Sequence, residues 1–118
     1  MFLPIISLEE PMKEIKLMNI EKNLLVFIQN ICRNYPTIEK VILFGSRARG
    51  DHTQKSDYDL AIYGQLQPSE IVLLRNSLRE DLPTLHKIDT VFMQSETDSK
   101  LIKNIETEGI LIYDKTCQ

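Results

Sequence analysis

Two aspartates two residues apart, Asp57 and Asp59, follow the pair Gly45-Ser46 after an interval of ten residues. Residues i and i+2 of a strand face the same side. A strand over Asp57–Tyr63 therefore presents both carboxylates together and turns Tyr58 and Leu60 the other way. Like charges held that close raise each other's pKa and repel unless a cation sits between them. The pair suits Mg²⁺, which takes oxygen ligands and keeps places for water and substrate phosphate. A third acid, Asp89, lies in Lys87-Ile88-Asp89-Thr90-Val91-Phe92-Met93, a run whose β-branched and aromatic residues predict another strand. Paired beside the first, that strand brings Asp89 within roughly 5 Å of Asp57 or Asp59 at the backbone level. Three carboxylates on adjacent strands can hold two divalent ions about 4 Å apart and stabilise both oxygens of an in-line displacement.

The Gly-Ser turn supplies the anion-binding half. Glycine lets the backbone approach a ligand, and Ser46 can cap the helix that follows or donate its hydroxyl to a phosphate oxygen. N–H groups at a helix start favour an anion. Arg47 and Arg49 offer forked donors to phosphate, with Arg47 ranked first because it is nearer the turn. Each feature alone is common on ordinary surfaces. Their succession, with apolar runs Val41-Ile42-Leu43-Phe44 and Leu60-Ala61-Ile62-Tyr63 on either side, predicts a site for a metal-bound polyphosphate.

The elements that must position these residues follow from periodicity. Ile20, Leu24, Phe27, Ile28 and Ile31 recur at helical spacing over 20–34, and Asn34-Tyr35-Pro36 ends that helix. Ile38–Phe44 reads as a central strand, Ser46–Arg49 as a short helix, and Asp57–Tyr63 as the second strand. Pro68 starts a helix to about Asp81 with Ile71, Leu74 and Leu78 inward; Arg75 and Arg79 form its solvated face. Lys87–Gln94 is the third strand. Thr97–Glu108 is a helix with Leu101, Ile102 and Ile105 inward, Glu106 and Glu108 outward, and Gly109 at the C′ position. Ile110–Tyr113 is a last strand. Residues 1–19 are an extension of uncertain structure. The expected fold is α/β of the α+β kind: a small mixed sheet, helices mainly on one face, the acids on the other, in one domain over 1–118.

Composition bounds the rest. With 118 residues, 42% hydrophobic and 26% charged, the chain fits one domain with a modest core. No apolar stretch approaches a membrane span and the N-terminus lacks a basic signal region, so the expected compartment is the cytoplasm. A net charge of −3 argues against a general nucleic-acid binder; the local cluster Arg47, Arg49, His52 and Lys55 fits one triphosphate. Cys32 falls in an apolar helical pattern and Cys117 near the end, with no zinc-like spacing. His52 and His86 read as loop histidines, and Tyr58 and Tyr63 as packing residues.

The chain resembles the minimal nucleotidyltransferases of the DNA polymerase β superfamily, whose signature is Gly-Ser, ten residues, Asp-x-Asp. Gly45, Ser46, Asp57 and Asp59 match it without a gap, and Ile88-Asp89-Thr90-Val91 resembles the strand of the third acid, with Thr90 a departure. The likeness runs from about Ile20 to Tyr113. It implies Mg²⁺-dependent transfer of a nucleoside monophosphate from an NTP, with ATP the expected substrate, to an acceptor hydroxyl. It implies metal ligation by two ions at Asp57, Asp59 and Asp89, and nucleotide binding at Gly45, Ser46, Arg47 and Arg49. Many such chains are antitoxins of HEPN-domain ribonuclease toxins, and some AMPylate a toxin tyrosine. A chain this short leaves no room for a second domain to grip the acceptor, so a partner, a second copy or the acceptor itself must supply that wall. Two competing functions are an antitoxin acting by occlusion alone and a small-molecule nucleotidyltransferase of the aminoglycoside-modifying type.

Overall fold

The computed structural model describes residues 20–51, 53, 56–80, 84 and 86–117. The expected extension 1–19, together with His52 and Lys55, lies outside them. Four strands form one mixed sheet: β1 (Ile38–Phe44), β2 (Tyr58–Gly64), β3 (Ile88–Phe92) and β4 (Ile110–Asp114), in the order β3-β2-β1-β4. β1 pairs antiparallel with β2 and β4, and β2 pairs parallel with β3. The helices are α1 (Lys22–Arg33), the four-residue α2 (Ser46–Arg49), α3 (Pro68–Glu80) and α4 (Ser99–Glu108).

Successive side chains of a strand point to opposite faces, so alternate residues share one side. Val41 and Leu43 of β1, Tyr58, Leu60 and Ile62 of β2, and Ile88 and Phe92 of β3 join one core. α1 closes it with Leu24, Leu25, Ile28 and Cys32, and α3 with Leu74 and Leu78. The inward stripe of α1 differs from the expected one by a small rotation. Leu25 and Gln29 turn in, while Phe27 stays 45% exposed. Buried Gln29 explains the rotation, since its amide donates to the Ile112 carbonyl of β4 at 2.9 Å. Burial pushes the Cys32 thiol up to about 12, so it is the small core residue its pattern predicts.

The third long helix lies on the other side. Ile105 of α4 is fully buried yet outside the main core, and α4 packs on β1. Gly109, which follows α4, has an extended backbone with φ −74°. It is therefore not the left-handed cap expected there. A side chain at this position would collide with Ile42 Cγ2 and the Ile105 carbonyl, so close approach explains the glycine. α4 begins two residues later than expected, because Asp98 caps it by accepting from the amides of Lys100 and Leu101 at 3.0 and 3.2 Å. β3 stops at Phe92, and a 3₁₀ turn follows at Met93–Ser95. There the Gln94 amide exchanges two hydrogen bonds with the Leu66 backbone, at 2.8 and 3.2 Å.

Candidate active site

β1 runs directly into Gly45, which caps α2 with φ +77°. That is a conformation L side chains rarely adopt. A Cβ at Gly45 would run into Asp59 Oδ2 and stand 3.3 Å from Asp59 Cγ. The Gly-Ser turn and the second aspartate thus meet directly. Ser46 is the first helical residue of α2, directly after the Gly45 cap.

The strands align the acids. Asp59 stands opposite Asp89 in the parallel β2–β3 register, and adjacent strands are about 4.8 Å apart. Asp57 departs from expectation, lying just before β2 and exposed. Strand pairing begins one residue later, where the Tyr58 amide donates to the Lys87 carbonyl at 3.0 Å. Asp59 is the most constrained of the three. Burial, then the charges of Asp89 and Asp57, push its carboxyl above the ordinary range, and Arg49 pulls it back. Lys87 Nζ lies 3.5 Å from Asp89 Oδ1. Lys87-x-Asp89 has the spacing of two strand residues on one face, which is the sequence signal for this pair.

Among the described residues no three His, Cys, Asp or Glu side chains form a ready metal-holding group. The donor set still fits a hard cation. It is all carboxylate oxygen, and its central member carries a mutual repulsion that a divalent ion would relieve.

The two arginines part company. Arg47 turns inward and is 7% exposed. Its Nε and Nη2 donate to the Ser56 carbonyl at 3.3 and 3.2 Å, and its guanidinium lies 4.4 Å from the centre of the Tyr58 ring. The residue expected to be the first phosphate donor thus has its head against Tyr58 and the Ser56 carbonyl. Residues two apart on a helix point about 200° apart, and Arg49 takes the acidic side. Arg49 pairs with Asp51 at 3.2 Å and Glu108 at 3.7 Å, so Glu108 belongs to the surroundings of the site. Arg75, expected to be solvated, lies 5.1 Å from the Phe92 ring centre. Tyr58 is packed as expected, with His86 edge-on at 5.7 Å.

The family model described as "Polymerase beta, Nucleotidyltransferase" matches residues 26–118. The chain belongs to the polymerase β nucleotidyltransferase family. This nucleotidyltransferase is 32% identical over 102 residues to the Methanocaldococcus jannaschii protein named "Putative protein adenylyltransferase MJ0604", covering 81% of this chain and 100% of that one. A mutant of the toxin–antitoxin MntA-HpeT has a chain of similar fold, with a TM-score of 0.58 and 26% identity over 78% of this chain and 71% of that one. A toxin–antitoxin crystallised with AMP-PNP has a chain of the same fold at TM-score 0.63 and 24% identity, over 76% and 73%. No helix among the described residues of the nucleotidyltransferase is long and apolar enough to cross a membrane.

Proposed function

We propose that this nucleotidyltransferase moves AMP from ATP to a hydroxyl of a partner protein, and that the partner is the HEPN-type ribonuclease toxin it neutralises as an antitoxin. The observation that carries this reading is the junction at one end of the sheet, where Gly45 bears on Asp59 and Asp59 stands opposite Asp89. Similarity over the whole length of a protein named as an adenylyltransferase, and a fold shared with a toxin–antitoxin protein, support it.

In this reading the triphosphate sits at Gly45-Ser46, with the Ser46 hydroxyl and Arg49 as donors. Asp57, Asp59 and Asp89 hold two Mg²⁺ ions, which when bound neutralise the polyphosphate and lower the pKa of the acceptor hydroxyl. Asp89 is on β3, beyond β2 from the Gly-Ser turn, so the acceptor approaches from that side. Its oxygen attacks the α-phosphorus and its proton passes to an Asp89 carboxylate oxygen. The bond from the α-phosphorus to its bridging oxygen breaks, and pyrophosphate leaves. The cytoplasm, where ATP and Mg²⁺ are abundant, is the compartment this reading requires.

Incubation of the partner with labelled ATP, Mg²⁺ and this protein tests it. The partner should gain the mass of one AMP, on a tyrosine hydroxyl. The Asp57→Asn/Asp59→Asn double mutant should bind the partner and leave it unlabelled. Full neutralisation by that mutant at equimolar dose, with no AMP on the partner, would replace the enzyme reading with occlusion.

A further inference from the structure

We propose that Arg47 is a positioning residue: it ties the backbone at Ser56 to the core, and so fixes Asp57 beside Asp59, and it does not bind the polyphosphate. The inference rests on the reading that Asp57 works together with Asp59.

The guanidinium is on the wrong face for phosphate. Tyr58, whose ring it covers, is fully buried in the main core. Asp59, the next residue, points to the opposite face of β2. To reach a ligand beside Gly45 and Asp59, the Arg47 head would have to leave Tyr58, release the Ser56 carbonyl and cross the strand. Burying a full charge is costly unless it is well partnered. Among the described residues Arg47 has one carbonyl oxygen and one aromatic face as partners, with no carboxylate. Two donors converge on that single oxygen, which makes the contact an anchor for the Ser56-Asp57 peptide.

Asp57 needs such an anchor. It is exposed and outside β2, so the sheet does not hold it directly. Its two neighbours are both fixed, however. The Ser56 carbonyl is held by Arg47, and the Tyr58 amide by the Lys87 carbonyl at 3.0 Å. The same turn thereby sets both acids of the pair. Gly45 bears on Asp59, and Arg47, two residues on, reaches Asp57 through Ser56.

The test compares Arg47→Met and Arg47→Lys with wild type in steady-state transfer, in the Mg²⁺ concentration required, and in amide hydrogen exchange of the ligand-free protein. Arg47→Met should keep KM for ATP within about twofold, while kcat falls and the Mg²⁺ requirement rises by about 10–100-fold, the usual scale when support behind a metal ligand is lost. Exchange at Ser56, Asp57 and Tyr58 should quicken while the strands keep their protection. Arg47→Lys, which can still place one donor on the carbonyl, should recover part of each effect. A tenfold rise in KM for ATP with kcat, Mg²⁺ requirement and exchange unchanged would make Arg47 a phosphate ligand and overturn the proposal. So would exchange that quickens uniformly along the chain, which marks a purely structural role. If Arg47→Met does not fold, Tyr58→Leu removes the aromatic seat, and unchanged exchange at Ser56 and Asp57 in that variant refutes the anchor. A wild-type protein that transfers nothing defeats the proposed function instead, and the exchange measurement still decides the anchor.

Discussion

The two faces of β2 do opposite work with alternate residues. Toward α1 and α3 the strand presents Tyr58, Leu60 and Ile62, all at most 1% exposed and part of one continuous core. The other face carries Asp59 at one end, Ala61 in the middle and, at the far end, Tyr63, which lines a cavity with Ile102 and Glu106 of α4. The first face gains free energy from removing apolar area from water. The second gives some of it up, because Asp59 is partly desolvated and repelled by Asp89 and Asp57. The contrast teaches that the acids hold their geometry because the core face leaves the strand no other register. A shift by one residue would put Asp59 into the core and Tyr58 into the site.

The largest effect should come from Asp59→Asn. Transfer should fall by about 10²–10³-fold or more, the scale of losing one preorganised group that stabilises developing charge, while the ligand-free protein melts at the same temperature or higher. The pH dependence has a definite sign. A carboxyl whose pKa is raised on folding binds its proton more tightly in the folded state. Its contribution is full below the unfolded value of 3.8 and is lost as pH rises through the raised folded value. Melting curves without Mg²⁺ should therefore show wild type falling behind Asp59→Asn across that window, with a constant deficit above it. A wild type that gains on the mutant over the same range would mean Asp59 is stabilised by a partner, and the contrast between the two faces would fail.

Two glycines at opposite ends of the β1–β2 ladder offer the next test. Gly45→Ala forces a side chain onto Asp59 at φ +77°. It should cost about 1–3 kcal/mol and reduce transfer by about 10²-fold, since an ångström of misplacement suffices. Gly64→Ala, at φ +140° and with its Cβ against the Thr37 carbonyl and 2.9 Å from Ile38 Cα, should cost as much stability. Its kcat, measured well below the melting point, should stay at the wild-type value. Arg49→Ala should raise KM for ATP about tenfold, as loss of a charge-assisted donor does, with little change in stability because its ion pairs are exposed. Smallest of all, Phe27→Ala should shift stability by no more than about 0.5 kcal/mol, against about 2–5 kcal/mol for Leu24→Ala one turn earlier. Chemical denaturation of the pair measures both.

Much of this was legible because local chemistry and tertiary placement agree. β1 and α2 have their expected bounds, since an apolar run followed by Gly-Ser leaves little choice. Alternation and composition bring Asp89 beside Asp57 or Asp59 if the two strands pair, and the parallel register sets it opposite Asp59. What escaped depended on single distant groups. Asp57 falls outside the strand because the Lys87 carbonyl starts the ladder at Tyr58. The opposed directions of Arg47 and Arg49 follow from helical geometry, but which one turns inward is decided by the Ser56 carbonyl. Phe27 was expected inside because apolar spacing alone cannot choose between neighbouring stripes. Gln29 tipped the choice, and nothing near it in sequence shows that a carbonyl 83 residues away needs its amide.

That amide has a consequence for how the chain folds. Along β1 the partners in β4 step from Tyr113 to Leu111 and pass over Ile112, and Ile112 is the residue whose carbonyl Gln29 takes. A strand with such an irregularity could pair with its neighbour in more than one alignment, and the wrong one reverses every side chain. The helix that selects the alignment is separated from the strand by most of the chain, so this contact closes a long loop, a slow step by nature. Gln29→Leu should therefore slow refolding and populate a misaligned intermediate, leaving the last strand to find its place by trial.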